Sequence, residues 1–137
     1  MSMYYSKKDP DILLLSISRK EDISSDRKDL SPESEFLQCS SKLLSKGISF
    51  KPHKHNTLHR ETTKTQEAWV FLSGSVLAKF YDVDDSLYLE TKLSAGDCAV
   101  VFNAGHSFEV LEDDTIIYEF KTGPYYGVEA DKTFISS

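Results

Sequence analysis

The chain carries no excess of positive charge. Its 16 Lys and Arg stand against 22 Asp and Glu, a formal net charge of -6. A basic face is what displaces counterions from nucleic acid or an anionic membrane, so neither is expected as a partner. Long apolar runs are missing too, and no segment reaches the length of a transmembrane helix. The N-terminal stretch "MSMYYSKKDPDILLLSIS" has a short apolar part but no small-residue cleavage site, and acids precede that part. It does not read as a signal peptide. Cysteine is scarce: Cys39 and Cys98 lie far apart without CxxC spacing. They read as free buried thiols of a reducing compartment, which implies a cytoplasmic location.

What is present suits one soluble globular domain. The hydrophobic fraction is 39%, and 137 residues build one core rather than two. "DILLLSIS" predicts an N-terminal strand, and the charged, serine-rich "SRKEDISSDRKDLS" after it an exposed loop. "SPESEFLQCSSKLLSKG" predicts the one good helix. Ser31 suits the cap, Pro32 the first helical position, and Glu33 and Glu35 the positive helix end. Phe36, Leu37, Leu43 and Leu44 form its apolar stripe, and Lys46 with Gly47 stops it. Its expected role is to cover a sheet face or a barrel end.

From Ile48 the pattern is β. The runs "ISFKPHKH", "EAWVFLSG", "SVLAKFYDV", "SLYLETKL", "CAVVFNA", "HSFEVLE", "TIIYEFK" and a final "KTFIS" are separated by turn residues such as Ser73-Gly74, Asp84-Asp85 and Asp113-Asp114. Evenly spaced short strands predict an antiparallel sandwich or barrel. "AWVFL" and "CAVVF" are apolar on both faces, so both faces must be covered, by a second sheet, the helix or a partner subunit.

Chemistry concentrates in two stretches. On a strand, His53 and His55 share a face. Alone, an HxH is more often an exposed strand end than a metal site. Glu67 opens a strand with Trp69 and Phe71 on its own face. A carboxylate there is costly unless it is exposed, paired or coordinated to a cation. His106, in "GDCAVVFNAGHSFEV", shares a face with Phe108 and Val110, where a histidine is usually structural. The case sharpens only if the four residues converge.

Two histidines as HxH, a later glutamate and a glycine seven residues after it resemble the first motif of the cupin superfamily. "GDCAVVFNAGH" resembles the second. The likeness runs from about Ile48 to Lys121. It departs from the pattern in the eleven residues "NTLHRETTKTQ" between HxH and Glu67, and in Phe102 where a proline is usual. It implies an all-β fold: a cupin double-stranded β-helix (jelly-roll barrel) over residues 48–137, with the N-terminal strand, loop and helix of residues 1–47 packed on it. It implies metal ligands at His53, His55, Glu67 and His106, with Gln66 as the alternative to Glu67. By parity Gln66 would point to the other face.

Three imidazoles and a carboxylate suit a divalent ion such as Zn, Fe, Mn or Ni. An open coordination position would let the ion polarise an oxygen or acidify water. The resemblance therefore implies a metal-dependent enzyme, an isomerase or dioxygenase, acting on a small polar metabolite of saccharide or keto-acid type. A non-catalytic small-ligand binder is the alternative. His59 and Glu67 are the candidate proton-transfer residues, with His59 favoured if Glu67 is a ligand. Arg60, Tyr118 and Lys121 are candidate substrate contacts. Glu119 and Lys121 share a strand face and suit an ion pair in or beside the pocket. A homodimer is expected, with "DILLLSIS" as the strand to be exchanged or added at an edge.

Overall fold

The computed structural model describes residues 1–136. Ten strands run in the order β1 (Ser2–Tyr5), β2 (Leu13–Ser18), β3 (Lys28–Asp29), β4 (Ser40–Ser41), β5 (Glu67–Ser73), β6 (Ser75–Tyr81), β7 (Leu87–Ser94), β8 (Cys98–Val101), β9 (Gly105–Val110) and β10 (Ile116–Lys121). A 3-10 turn at Lys20–Asp22 and α1 (Val128–Asp131) are the helical elements among the described residues. The fold is all-β, as the turn spacing predicts.

The strands form a large sheet, β1-β2-β8-β5-β10, a small sheet, β7-β6-β9, and the two-stranded ribbon β3-β4. Every pairing is antiparallel. The chain crosses between the large and small sheets at Gly74, after β7, after β8 and after β9. Neither sheet closes on itself. The crossing at Gly74 leaves no room for a side chain: its φ is +73°, and a Cβ there would lie 2.7 Å from Thr115 Cα.

Alternation explains the core. Trp69 and Phe71 of β5, Ala99 and Val101 of β8, and Leu15 and Ile17 of β2 face Val76, Ala78 and Phe80 of β6 and Leu93 of β7. Trp69, Phe71 and Phe80 are almost completely buried, each contributing about 2–3 kcal/mol by leaving water. The opposite face of the large sheet, with Leu13, Ala68 and Val100, is buried as well, under Leu30 and Leu37. This double covering is why "AWVFL" and "CAVVF" carry apolar residues at successive positions. It also explains the weak alternation of "LLLSIS". All six residues of β2 are buried, and the register slips beside Leu14, where Tyr4 pairs with Leu15 and Tyr5 with Leu13.

The helix expected over residues 31–47 does not form. The segment loops between β3 and β4 instead, then runs on without regular structure. Ser31 Oγ accepts from Cys39 N–H at 3.1 Å, and Leu37 N–H donates to Gln66 Oε1 at 3.0 Å. The physical reason is tertiary: looping seats Leu30 and Leu37 on the sheet, a stronger gain than the weak helix propensity of a serine-rich segment. The cover was foreseen, its conformation was not. The N-terminal strands belong to the large sheet, with β2 between β1 and β8 and β1 at its edge. "ISFKPHKH" and "KTFIS" are not strands. No helix is long and apolar enough to cross a membrane among the described residues.

Candidate functional site

Antiparallel order brings the start of β5, the ends of β6, β8 and β10 and the start of β9 to one end of the sandwich. Glu67 opens β5 there, level with Val101 of β8 and Lys121 of β10. His106 lies on β9 opposite Phe80 of β6. The two sheets face each other, so Glu67 and His106 meet across the gap. His106 Nε2 is 2.7 Å from Glu67 Oε1, and the Trp69 indole N–H donates to the same oxygen at 3.0 Å. Trp69 also meets the His106 ring edge-on, with centroids 5.2 Å apart, and stacks on Phe80.

The site is electrostatically divided. Burial works against the charge on His106, but the hydrogen bond and negative charge of Glu67 outweigh it and hold its pKa above 6.5. Burial likewise pushes the Glu67 carboxyl up. The His106 bond and charge, with help from Trp69 and Lys121, overcome this and hold it below 4.5. The pair is therefore an imidazolium and a carboxylate between those values. Glu67 is 6% exposed. Its Oε1 takes both protein donors. Among the described residues no buried side-chain oxygen or nitrogen lacks a partner, so Oε2, to which no protein group donates a hydrogen bond, opens to the space beside it.

That space is a cavity of about 770 Å³. Glu67, Trp69, Tyr81, His106, Phe108 and Glu119 form its walls, and residues 131–135 of the C-terminal segment run along one side. Gly105 permits this close passage: a Cβ there would come within 2.5 Å of Ile135 Cδ1 and 3.2 Å of Tyr81 Cβ. The other ring nitrogen of His106, Nδ1, has the Ala104 carbonyl at 3.4 Å, a long bond that is easily given up.

The remaining sequence candidates are elsewhere. His53 and His55 touch each other, their rings 5.5 Å apart, on the segment 42–65, where every residue is exposed. His59 lies on the same segment, with Nε2 3.4 Å from Glu61. Arg60 lines a separate, shallower depression with Phe36 and Thr122. Tyr118 is 58% exposed on the outer face of β10, beside Phe120. Register puts Glu119 and Lys121 on the inner face, opposite Trp69 and Glu67. Lys121 does not pair with Glu119, because its Nζ reaches Asp131 at 3.4 Å.

The four ligands implied by the cupin resemblance therefore come together only as the pair Glu67 and His106. No three His, Cys, Asp or Glu side chains among the described residues are grouped to hold a metal ion. The donor atoms of the pair are also turned to each other. Gln66 is excluded as a ligand beside them by its direction: its side chain lies on the other face, between Leu37 N–H and Glu35. Glu119 lines the cavity, on the strand face it shares with Lys121. The C-terminal segment was not singled out as a cavity wall, and the sequence holds no signal for that role. No family model, curated protein or solved structure matches the chain.

Proposed function

We propose that the protein is a small-molecule enzyme whose cavity takes a polar, hydroxylated or keto-acid metabolite, with His106 and Glu67 managing its protons. The observation that carries this reading is the unshared Oε2 of the otherwise buried Glu67, open to a ligand-sized cavity beside a cationic imidazole. Oε2 accepts a bond from a substrate hydroxyl. His106 Nδ1–H leaves the Ala104 carbonyl and donates to a substrate oxygen, acting as general acid where negative charge develops. Glu67 holds the ring in place through Nε2. Proton transfer next to a carbonyl, as in an isomerisation, is the reaction class these two groups serve.

A second reading, a non-catalytic binder, draws support from the low pKa of Glu67, which makes it a good acceptor but a poor base. The sheets and their crossings are compatible with an open relative of the jelly-roll barrel. A cupin metal centre would require His53 and His55 to fold onto the cavity mouth, which Lys64 and Thr65 of the same segment already line.

One preparation separates these readings. Untagged protein is screened against sugars, sugar phosphates and keto acids by thermal shift, and hits are followed for turnover by NMR. Turnover that His106→Asn abolishes while binding persists supports the enzyme. Binding without turnover supports the binder. A stoichiometric divalent metal that His55→Ala removes would replace both with the metal centre. Binding unchanged in both Glu67→Gln and His106→Asn would reject this cavity as the site.

A further inference from the structure

The two cysteines, 59 positions apart in the chain, meet on the outer face of the large sheet. Cys39 Sγ and Cys98 Sγ are 3.9 Å apart. Cys98 opens β8 in the large sheet, and Cys39 ends the loop that covers that sheet's outer face. Both are half-buried, so a small oxidant can reach them. The loop is anchored on either side of Cys39. Its carbonyl accepts from Leu30 N–H at 2.8 Å, and its N–H donates to Ser31 Oγ. The backbone thus presents the thiol to β8 at a fixed place.

We propose that Cys39 and Cys98 are a reversible disulfide site, closed by a small-molecule disulfide such as glutathione disulfide. One of the two cysteine thiolates attacks one sulfur of the oxidant, forming a mixed disulfide and expelling one thiolate. The other cysteine then attacks the protein sulfur of that mixed disulfide, giving the internal disulfide and expelling the second. Two protein thiols are oxidised, one small disulfide is reduced to two thiols, and the two protons go to the departing sulfurs. The two sulfurs are close enough that whichever thiol is not attacked first can resolve the mixed disulfide formed on the other.

The bond would pin the cover loop to β8. That loop holds Gln66 through Leu37 and Glu35, and Gln66 is the neighbour of Glu67. Oxidation would thus stiffen the outer support of the strand that carries the site. A cross-link closing so long a loop restricts the unfolded chain strongly.

The test uses the full-length reduced protein, equilibrated under native conditions with glutathione disulfide. Intact mass should fall by two hydrogens per chain, with a Cys39–Cys98 peptide after digestion. Tm should rise by roughly 5–15 °C and return on reduction. Cys98→Ser and Cys39→Ser should each carry at most one glutathione and form no internal bond. Wild-type mass that stays reduced, or cross-links only between chains, would overturn the site. A stable glutathione adduct on the wild-type chain without the internal bond would overturn it too.

Discussion

His106 rests against Trp69 with Glu67 on its ring nitrogen, whereas His53, His55 and His59 sit on a segment, residues 42–65, in which every residue is exposed. The side chain is the same. What differs is the backbone beneath it. β9 is hydrogen-bonded to β6, so His106 is delivered to a fixed point opposite β5. The segment 42–65 lies in no ladder, and even its apolar Ile48, Phe50 and Leu58 remain 57–62% exposed. A fixed carboxylate partner, whose bond and charge outweigh the opposing desolvation, turns an ordinary histidine into a cation with a raised pKa. Density of polar residues along a sequence supplies no such partner.

The comparison breaks first if the cavity wall is not a packed core. Trp69→Ala removes the ring that touches Phe80, Phe108 and His106. It should cost about 3–5 kcal/mol in urea unfolding. A loss below about 1 kcal/mol would mean that His106 is not held by a rigid wall.

Glu67→Gln should be the next largest. It keeps the shape but leaves the His106 cation without its anion, costing about 1–3 kcal/mol. The more telling readout is NMR titration of the His106 ring. Its pKa should fall clearly below that of wild type, because burial is then opposed only by the Ala104 carbonyl and the Glu119 charge. An unchanged value would show that the pair does not form in solution.

pH sharpens the same contrast. Because the folded pKa of His106 is raised, its contribution is complete below pH 6.5 and is lost as pH rises through the folded value. Because that of Glu67 is lowered, its contribution is complete above pH 4.5 and is lost as pH falls through the folded value. The stability difference between wild type and Glu67→Gln should therefore be greatest between pH 4.5 and 6.5 and shrink on either side. A difference that does not vary with pH would remove the ion pair from the account.

These two regions also show why one half of the candidate site was readable in the sequence and the other was not. Strands β5 to β10 announce themselves through apolar alternation and turn residues, and parity places Glu67, Trp69 and Phe71 on one face. Asp85 and Asp114 adopt positive φ at two of the expected turns, where aspartate tolerates it. The stretch "ISFKPHKH" carries a similar local signal, yet nothing pairs with it. Strand formation needs a neighbour, and a single sequence does not reveal which edge is vacant. The helix failed for a related reason: Leu37 and Leu30 gain more on the sheet than on a helix stripe. The closeness of Cys39 and Cys98 was invisible because it depends on that loop.

The smallest effect is expected from the exposed half. Replacing His53, His55 and His59 together by alanine removes three imidazoles that touch only each other, Lys51 and Glu61. Nothing buried is uncovered and no charge is stranded, so stability should change by less than about 0.5 kcal/mol. Ligand binding in the cavity and the His106 titration should match wild type. A loss above about 1 kcal/mol would be inconsistent with a solvated segment. So would a shift of the His106 pKa, because an exposed histidine that makes no contact with the pair is screened from it by solvent. Either result would place these side chains against His106 and Glu67, and would restore the four-residue constellation that the sequence spacing suggests.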